Sequence, residues 1–113
     1  MKYMMLVCAD EANELSPEEA GQIDRAANVW VEEMTRRGIR LTGQRLQPVS
    51  DATTISVRSG EVLIADDPFA ETKEQIAGYD IIDCADLDEA IEVASKHPVA
   101  TFGKIEVRPF WVE

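Results

Sequence analysis

Residues 2–8 read KYMMLVC, and this stretch predicts a β-strand that is apolar on both of its faces. Alternate side chains of a strand point to opposite sides of its sheet. One face carries Tyr3, Met5 and Val7, and the other carries Met4, Leu6 and Cys8. Because an apolar face must be covered, this strand needs packing partners on both sides of the sheet.

A helix is predicted downstream of this strand. Ser16 is a suitable N-cap, Pro17 suits the first helical position, and Glu19 completes a capping box. Apolar residues then recur at helical spacing as Ala20, Ile23, Ala27, Trp30, Val31 and Met34. Gly38 ends the predicted helix, and Trp30 is interpreted as a packing residue.

The middle of the chain predicts a strand followed by a β-hairpin. Residues 39–46 form the predicted strand. Residues 53–58 and 61–65 are β-branched runs, and Ser59-Gly60 between them is a two-residue turn signal. The remaining predicted elements are a short helical turn at 69–76, a strand at 78–84, a helix that starts at Asp86 and stops before Pro98, and a strand at 104–110.

The order of these elements predicts an α+β fold. Without the hairpin it is β-α-β-β-α-β, which is the ferredoxin-like arrangement. Right-handed crossovers place both helices on one face of an antiparallel sheet. The second apolar face of residues 2–8 then stays bare, and a second sheet supplied by a homodimer is the simplest way to cover it.

Length and charge narrow the classes of function. The 113 residues suffice for one domain, 1–113, and the formal net charge is −11. This acidity disfavours binding to nucleic acid and to anionic membranes. No stretch predicts a secretory signal or a membrane span, so a cytoplasmic location is expected, with Cys8 and Cys84 as reduced, buried thiols. No metal or cofactor motif is found.

Two segments of the chain resemble one known family. The order of the predicted elements fits that family along essentially the whole chain. Residues 66–74 (DDPFAETKE), which continue into Gly78-Tyr79 and residues 81–83, resemble the DGPF signature of the YCII-related family. Residues 105–110 (IEVRPF) resemble the terminal strand of that family. The sequence departs from the family at Asp67, where Gly is usual, and at Asp80, where an aromatic residue is usual.

The resemblance implies a fold and leaves the activity open. It implies a ferredoxin-like domain that dimerises through its sheets into an α/β barrel. Some family members carry a His–Asp pair in a cleft, and many DGPF-type members occur beside sigma factors, which implies a sigma-factor association. In this chain Asn28 lies nearest the histidine position, and an amide cannot act as a general base. The single histidine, His97, is expected at the surface or facing the helix dipole.

Charged residues are predicted on the sheet face away from the helices. If Ile105 and Val107 face the helices, Glu106 and Arg108 point the other way. In a dimer these groups would enter a partly closed cavity, where an arginine pairs well with an anionic ligand.

Further carboxylates extend this candidate site. Asp66 lies at the mouth of the hairpin, and either Asp80 or Asp83 joins it, depending on the strand register. In the functional hypothesis, the ligand is bound by Arg108, Glu106 and Asp80, and Asp66 acts as the acid or base. The structural alternative is that Glu106, Arg108 and Asp66 form ion pairs and turn caps.

The sequence therefore leaves two classes of function open. The first is a YCII-related dimeric module that binds a small anionic ligand or acts in regulation, with a sigma factor as the implied partner. The second is a small enzyme that uses Asp66 and neighbouring charged residues in an intersubunit cavity. Trp111 is interpreted as a residue that helps to seal the dimer interface.

Overall fold

The computed structural model describes residues 1–66 and 74–112. Its helices and strands are β1 (Lys2–Ala9), α1 (Pro17–Arg36), β2 (Arg40–Arg45), β3 (Thr54–Arg58), β4 (Glu61–Ala65), β5 (Gln75–Asp83), α2 (Leu87–Ser95) and β6 (Lys104–Pro109). Short 3-10 turns occupy Val49–Asp51 and Pro98–Thr101. Two helices with antiparallel strands confirm the α+β class. Within the described ranges, no helix has the length and apolar character needed to cross a bilayer.

The main sheet has four antiparallel strands in the order β2-β5-β1-β6. β1 lies inside the sheet and pairs with β5 on one side and β6 on the other. Its register sets Met5 opposite both Asp80 and Val107, and Met4 opposite both Ile81 and Arg108. Paired residues share a face of the sheet, so the orientation of β1 determines that of its neighbours.

The hydrophobic core lies on one face of this sheet. The cluster combines residues in or next to the strands with residues of both helices: Tyr3, Met5, Ile39, Ile82, Cys84, Trp30, Met34, Ala90, Val93 and Ala94. Ile105 and Val107 pack against it, as their alternation along residues 104–110 predicts. The opposite face of the four-stranded sheet carries no helix of the described chain, and Met4, Leu6 and Cys8 are only partly buried there.

Both helices begin where the capping signals predict. Ser16 Oγ accepts a hydrogen bond from the Glu19 amide at 3.1 Å, and Glu19 Oε1 accepts one from the Ser16 amide at 3.3 Å. At α2, Asp86 Oδ1 accepts from the Glu89 amide at 2.9 Å. These bonds satisfy amides that have no partner in the first helical turn.

The hairpin of β3 and β4 forms a separate two-stranded sheet. Ser59 and Gly60 both adopt positive φ, 51° and 77°, as a type I′ turn between two strands requires. Gly60 is suited to this position because it has no Cβ. The hairpin turn therefore forms at the two residues that the sequence predicts.

One predicted element is partly wrong. The short helical turn expected at 69–76 does not include Gln75 and Ile76, which belong to β5. Residues 69–73 of that prediction lie outside the described residues, as does Asp67. Pairing with β1 explains the correction, because Gln75 and Ile76 are opposite Ala9 and Cys8.

We expect Gly21→Ala to stabilise the protein by about 0.5–1 kcal/mol, because glycine within a helix loses more backbone entropy on folding than alanine. Gly21 lies in α1, where the nearest atom to an added Cβ is the flexible guanidinium of Arg25 at 3.2 Å. Urea unfolding followed by circular dichroism measures the difference. A decrease in the free energy of unfolding would mean that Arg25 cannot move aside.

Candidate functional site

The predicted pair of charges on β6 lies on the uncovered face of the sheet. The register places Glu106 opposite Leu6 and Arg108 opposite Met4, and both β1 residues point away from the helices. Arg108 Nη2 forms an ion pair with the Glu106 carboxylate. Both side chains remain substantially exposed. The guanidinium is thus held by one acidic neighbour and keeps donors that face solvent.

Asp80 does not join this pair, and its predicted placement beside Arg108 is wrong. It lies opposite Met5 on the face covered by the helices, and only 6% of its surface is exposed. Arg40 Nε donates a hydrogen bond of 2.8 Å to Asp80 Oδ1. Burial raises the pKa of Asp80 above its ordinary value, and the hydrogen bond and charge of Arg40 offset part of that rise.

Gly43 makes room for the Arg40–Asp80 pair. A Cβ at position 43 would lie 2.4 Å from Asp80 Oδ1 and 2.7 Å from an Arg40 nitrogen. The register of β2 against β5 shifts between Arg40 and Thr42. A bulge of this kind changes the direction of a side chain, so simple alternation along β2 does not identify Arg40 as the partner.

Asp83 and Asp66 occupy separate places. Asp83 lies on the uncovered face, where Oδ1 accepts a 3.2 Å hydrogen bond from the Met1 amino group. Asp66 follows β4 directly and is exposed. No ion pair or hydrogen bond within residues 1–66 and 74–112 joins Asp66 to Glu106 or Arg108. The structure therefore assembles Glu106 with Arg108 and leaves Asp66 apart from them.

His97 is buried, which corrects the prediction of a surface or dipole-facing side chain. Its ring packs edge-on against Trp30 with 5.0 Å between centroids, and only 7% of its surface is exposed. Nδ1 accepts a hydrogen bond from the Val99 amide at 3.2 Å. Burial lowers the pKa of His97 to about 4. Trp30 is a packing residue as predicted, and its Nε1 donates to the Val93 carbonyl at 2.9 Å.

An open cleft that the sequence did not indicate lies where three segments meet. It has a volume of about 610 Å³ and is lined by Glu11, Arg45, Leu46, Gln47, Pro48 and Ala77. The Glu11 carboxylate holds one wall by accepting a hydrogen bond from the Val49 amide at 3.1 Å. Arg45 lies 3.5 Å from Asp24 in an exposed ion pair. The cleft combines residues far apart in sequence, so no local motif could have identified it.

The two thiols differ in environment. Cys84 is buried as predicted, whereas Cys8 is only partly buried on the uncovered face. Burial and then the charge of Glu106 raise the pKa of Cys8, which disfavours the reactive thiolate. No group of three or more His, Cys, Asp or Glu side chains suited to a metal ion occurs in the described part of the chain.

Comparison with known proteins identifies one family and one relative. The model of the YCII-related domain matches residues 1–112. The chain is also 37% identical over 113 residues to an uncharacterized protein of Rhizobium meliloti (strain 1021), covering 96% of this chain and 91% of that protein.

Removal of Arg40 should strongly destabilise the fold. Arg40→Ala would leave the buried Asp80 carboxylate without its cation, at a cost of about 3–5 kcal/mol. Arg45→Ala is the matched control on the same strand, since its ion pair with Asp24 is exposed and worth at most about 1 kcal/mol. Urea unfolding at pH 7 compares the two. Equal losses would mean that burial of the Arg40–Asp80 pair has no energetic consequence.

Acid should destabilise the protein through His97. The folded pKa lies near 4 against an ordinary value of 6.5, so the stabilisation is present above 6.5 and is lost as pH falls toward 4. The loss should be on the order of 3 kcal/mol.

His97→Asn is the comparison variant, because asparagine keeps a side-chain acceptor for the Val99 amide and does not titrate. The difference in unfolding free energy between wild type and variant should shift in favour of the variant between pH 7 and pH 4. A constant difference would contradict the assignment to His97.

Proposed function

The chain belongs to the YCII-related domain family, and from that premise we propose that it is a dimeric module that binds a small anionic ligand. We further propose that its topology is ferredoxin-like, with the β3–β4 hairpin as an insertion. The strand order β2-β5-β1-β6 supports this topology, as does the position of both helices on one face. The hairpin lies between β2 and β5 in the chain and pairs with itself.

The observation that carries the dimer is the uncovered face of the main sheet. Met4, Leu6 and Ile81 lie on that face, and neither helix of the described residues packs over them. Apolar surface removed from water contributes about 25 cal/mol per Å². Two copies related by a two-fold axis would cover both faces at once and give a barrel with the helices outside.

The charges on the same face support an anionic ligand. β6 presents Lys104, Glu106 and Arg108 toward this side, and Lys2 lies on the same face of β1. Acids lie among these cations, since Lys104 Nζ is 3.4 Å from Glu74 and Lys2 is opposite Asp83. Arg108 is the anchor we favour, because its guanidinium keeps exposed donors beside Glu106. Inside a dimer, lower exposure to water would strengthen the pairing of Arg108 with a carboxylate or phosphate.

The dimer is tested by light scattering behind size exclusion across a dilution series. We expect a mass of twice 12.6 kDa that falls to 12.6 kDa only on strong dilution. A protein that stays monomeric at every concentration would overturn the dimer and the shared cavity with it.

Anion binding is tested by titrating inorganic phosphate and oxalate into isotopically labelled protein and following amide shifts. Arg108→Ala should weaken binding at least about tenfold, since it removes a charge-assisted contact. The control is Arg36→Ala, which removes one exposed arginine from the end of α1 and so has the same net charge as Arg108→Ala. Equal weakening by both variants would show only general charge attraction and would contradict a site at Arg108.

Three expectations stay predictions. The alternative of a small enzyme rests on Asp66, which is exposed beside the hairpin and has no second charged group assembled with it in the described residues. Association with a sigma factor rests on the family resemblance alone. The cytoplasmic location rests on composition and the sequence pattern.

A further inference from the structure

The hairpin carries an apolar face that no part of residues 1–66 and 74–112 covers. Its register pairs Ile55 with Ile64 and Val57 with Val62 across the two strands. All four side chains point to the same side of the hairpin, and each is between 54% and 66% exposed. The other side is mostly polar, with Ser56 opposite Leu63. The hairpin is thus amphipathic, with its apolar side toward water.

The position of the hairpin makes this exposure costly. Neither β3 nor β4 packs extensively against another helix or strand of the described chain. The radius of gyration is 16.0 Å, whereas a compact chain of this length has about 13 Å. A two-stranded hairpin alone in water is at best marginally stable. A partner that covers the apolar face would therefore stabilise the hairpin itself.

We infer that the hairpin is an intersubunit arm, whose apolar face of Ile55, Val57, Val62 and Ile64 packs against a second copy of this chain. The inference rests on the proposed dimer and adds to it the element that holds the two copies together. The surface it meets is the border of the second copy's sheet, beside the open face that the two sheets share.

The shape of the protein supports a second copy as the occupant. The molecule measures 47 × 45 × 18 Å, so it is a flat slab with two broad sides. Each side far exceeds the roughly 800 Å² that each partner buries in a standard interface. The hairpin follows β2, which is an edge strand, and so extends from the border of the sheet. An arm at the border is placed to flank a sheet stacked on the open face.

Chemistry also favours a second copy. The part of the chain that the structure describes leaves two apolar surfaces uncovered, the hairpin face and the open sheet face. In a two-fold arrangement the two open sheet faces cover each other and each hairpin packs beside the stacked sheets, so both surfaces are covered without a third component. An anionic membrane is a poorer occupant, because the net charge of −11 opposes it.

Two variants of neighbouring residues test the arm. Val62→Lys places a charge on the apolar face, and Leu63→Lys places the same charge on the opposite face of the same strand. Both positions are exposed, at 59% and 44%, and far-UV circular dichroism checks that each variant folds. Light scattering in a dilution series then measures the monomer–dimer midpoint. We expect Val62→Lys to raise the midpoint at least about tenfold and Leu63→Lys to leave it within about twofold, since only the first charge would be buried.

The outcomes separate the arm from the dimer. A wild-type protein that never dimerises overturns both proposals. A wild-type dimer that Val62→Lys leaves intact, or that both variants weaken equally, overturns the arm and leaves the dimer standing.

Hydrogen exchange of the wild type gives a second measurement that does not depend on a variant folding. Backbone amides of residues 54–65 should exchange faster on dilution below the midpoint, because the hairpin would lose its cover. Exchange that does not change with concentration would mean that no second copy covers the hairpin, and would overturn the arm.

Discussion

The two-residue alternation of β1 is the constraint on which the rest of the structure depends. β1 is hydrogen-bonded to β5 and to β6, so the direction of its side chains decides which residues of all three strands meet the helices. Tyr3 and Met5 lie in the core, whereas Met4 and Leu6 lie on the uncovered face. A slip of one residue would exchange these sets. Because both sets are apolar, the hydrophobic effect opposes the exchange only weakly.

The buried Arg40–Asp80 ion pair favours one face of the sheet as the core face, which the alternation of β1 alone does not. If β5 turned its other face to the core, Asp80 would leave Arg40, and Tyr79 and Ile81 would enter in its place. Gly43 leaves space for the pair at this register and no other residue could occupy that position without a clash. A buried ion pair adds little stability compared with apolar residues of equal size. In the other register the Asp80 carboxylate would lose the Arg40 guanidinium, so the pair favours the observed one.

The elements that sequence analysis places correctly depend on local chemistry. The start of α1 is determined by Ser16 and Glu19, which are three residues apart. The orientation of β6 follows from Ile105 and Val107, because charged residues alternate with them. These features need no knowledge of distant parts of the chain.

The side chains that sequence analysis misplaces depend on distant contacts. Asp80 and Asp83 point to opposite faces of the predicted strand 78–84. Alternation alone therefore cannot decide which of them lies on the uncovered face. The burial of His97 requires the ring of Trp30 from α1. The cleft beside Glu11 and Arg45 forms only when the loop after β1 meets the end of β2. Such contacts between distant segments leave no pattern in the local sequence.

The pairing of β1 with β6 has a consequence for how this chain is made. About 100 residues separate the two strands, and at roughly 5–20 residues per second a ribosome needs about 5–20 s to add them. α1 can form from local contacts soon after it emerges, but β1 has no partner in the sheet until β5 has followed. During that interval the side of β1 that faces away from α1 stays exposed to water. Transiently exposed apolar surface of this kind makes a growing chain prone to aggregate until β5 and β6 have been added.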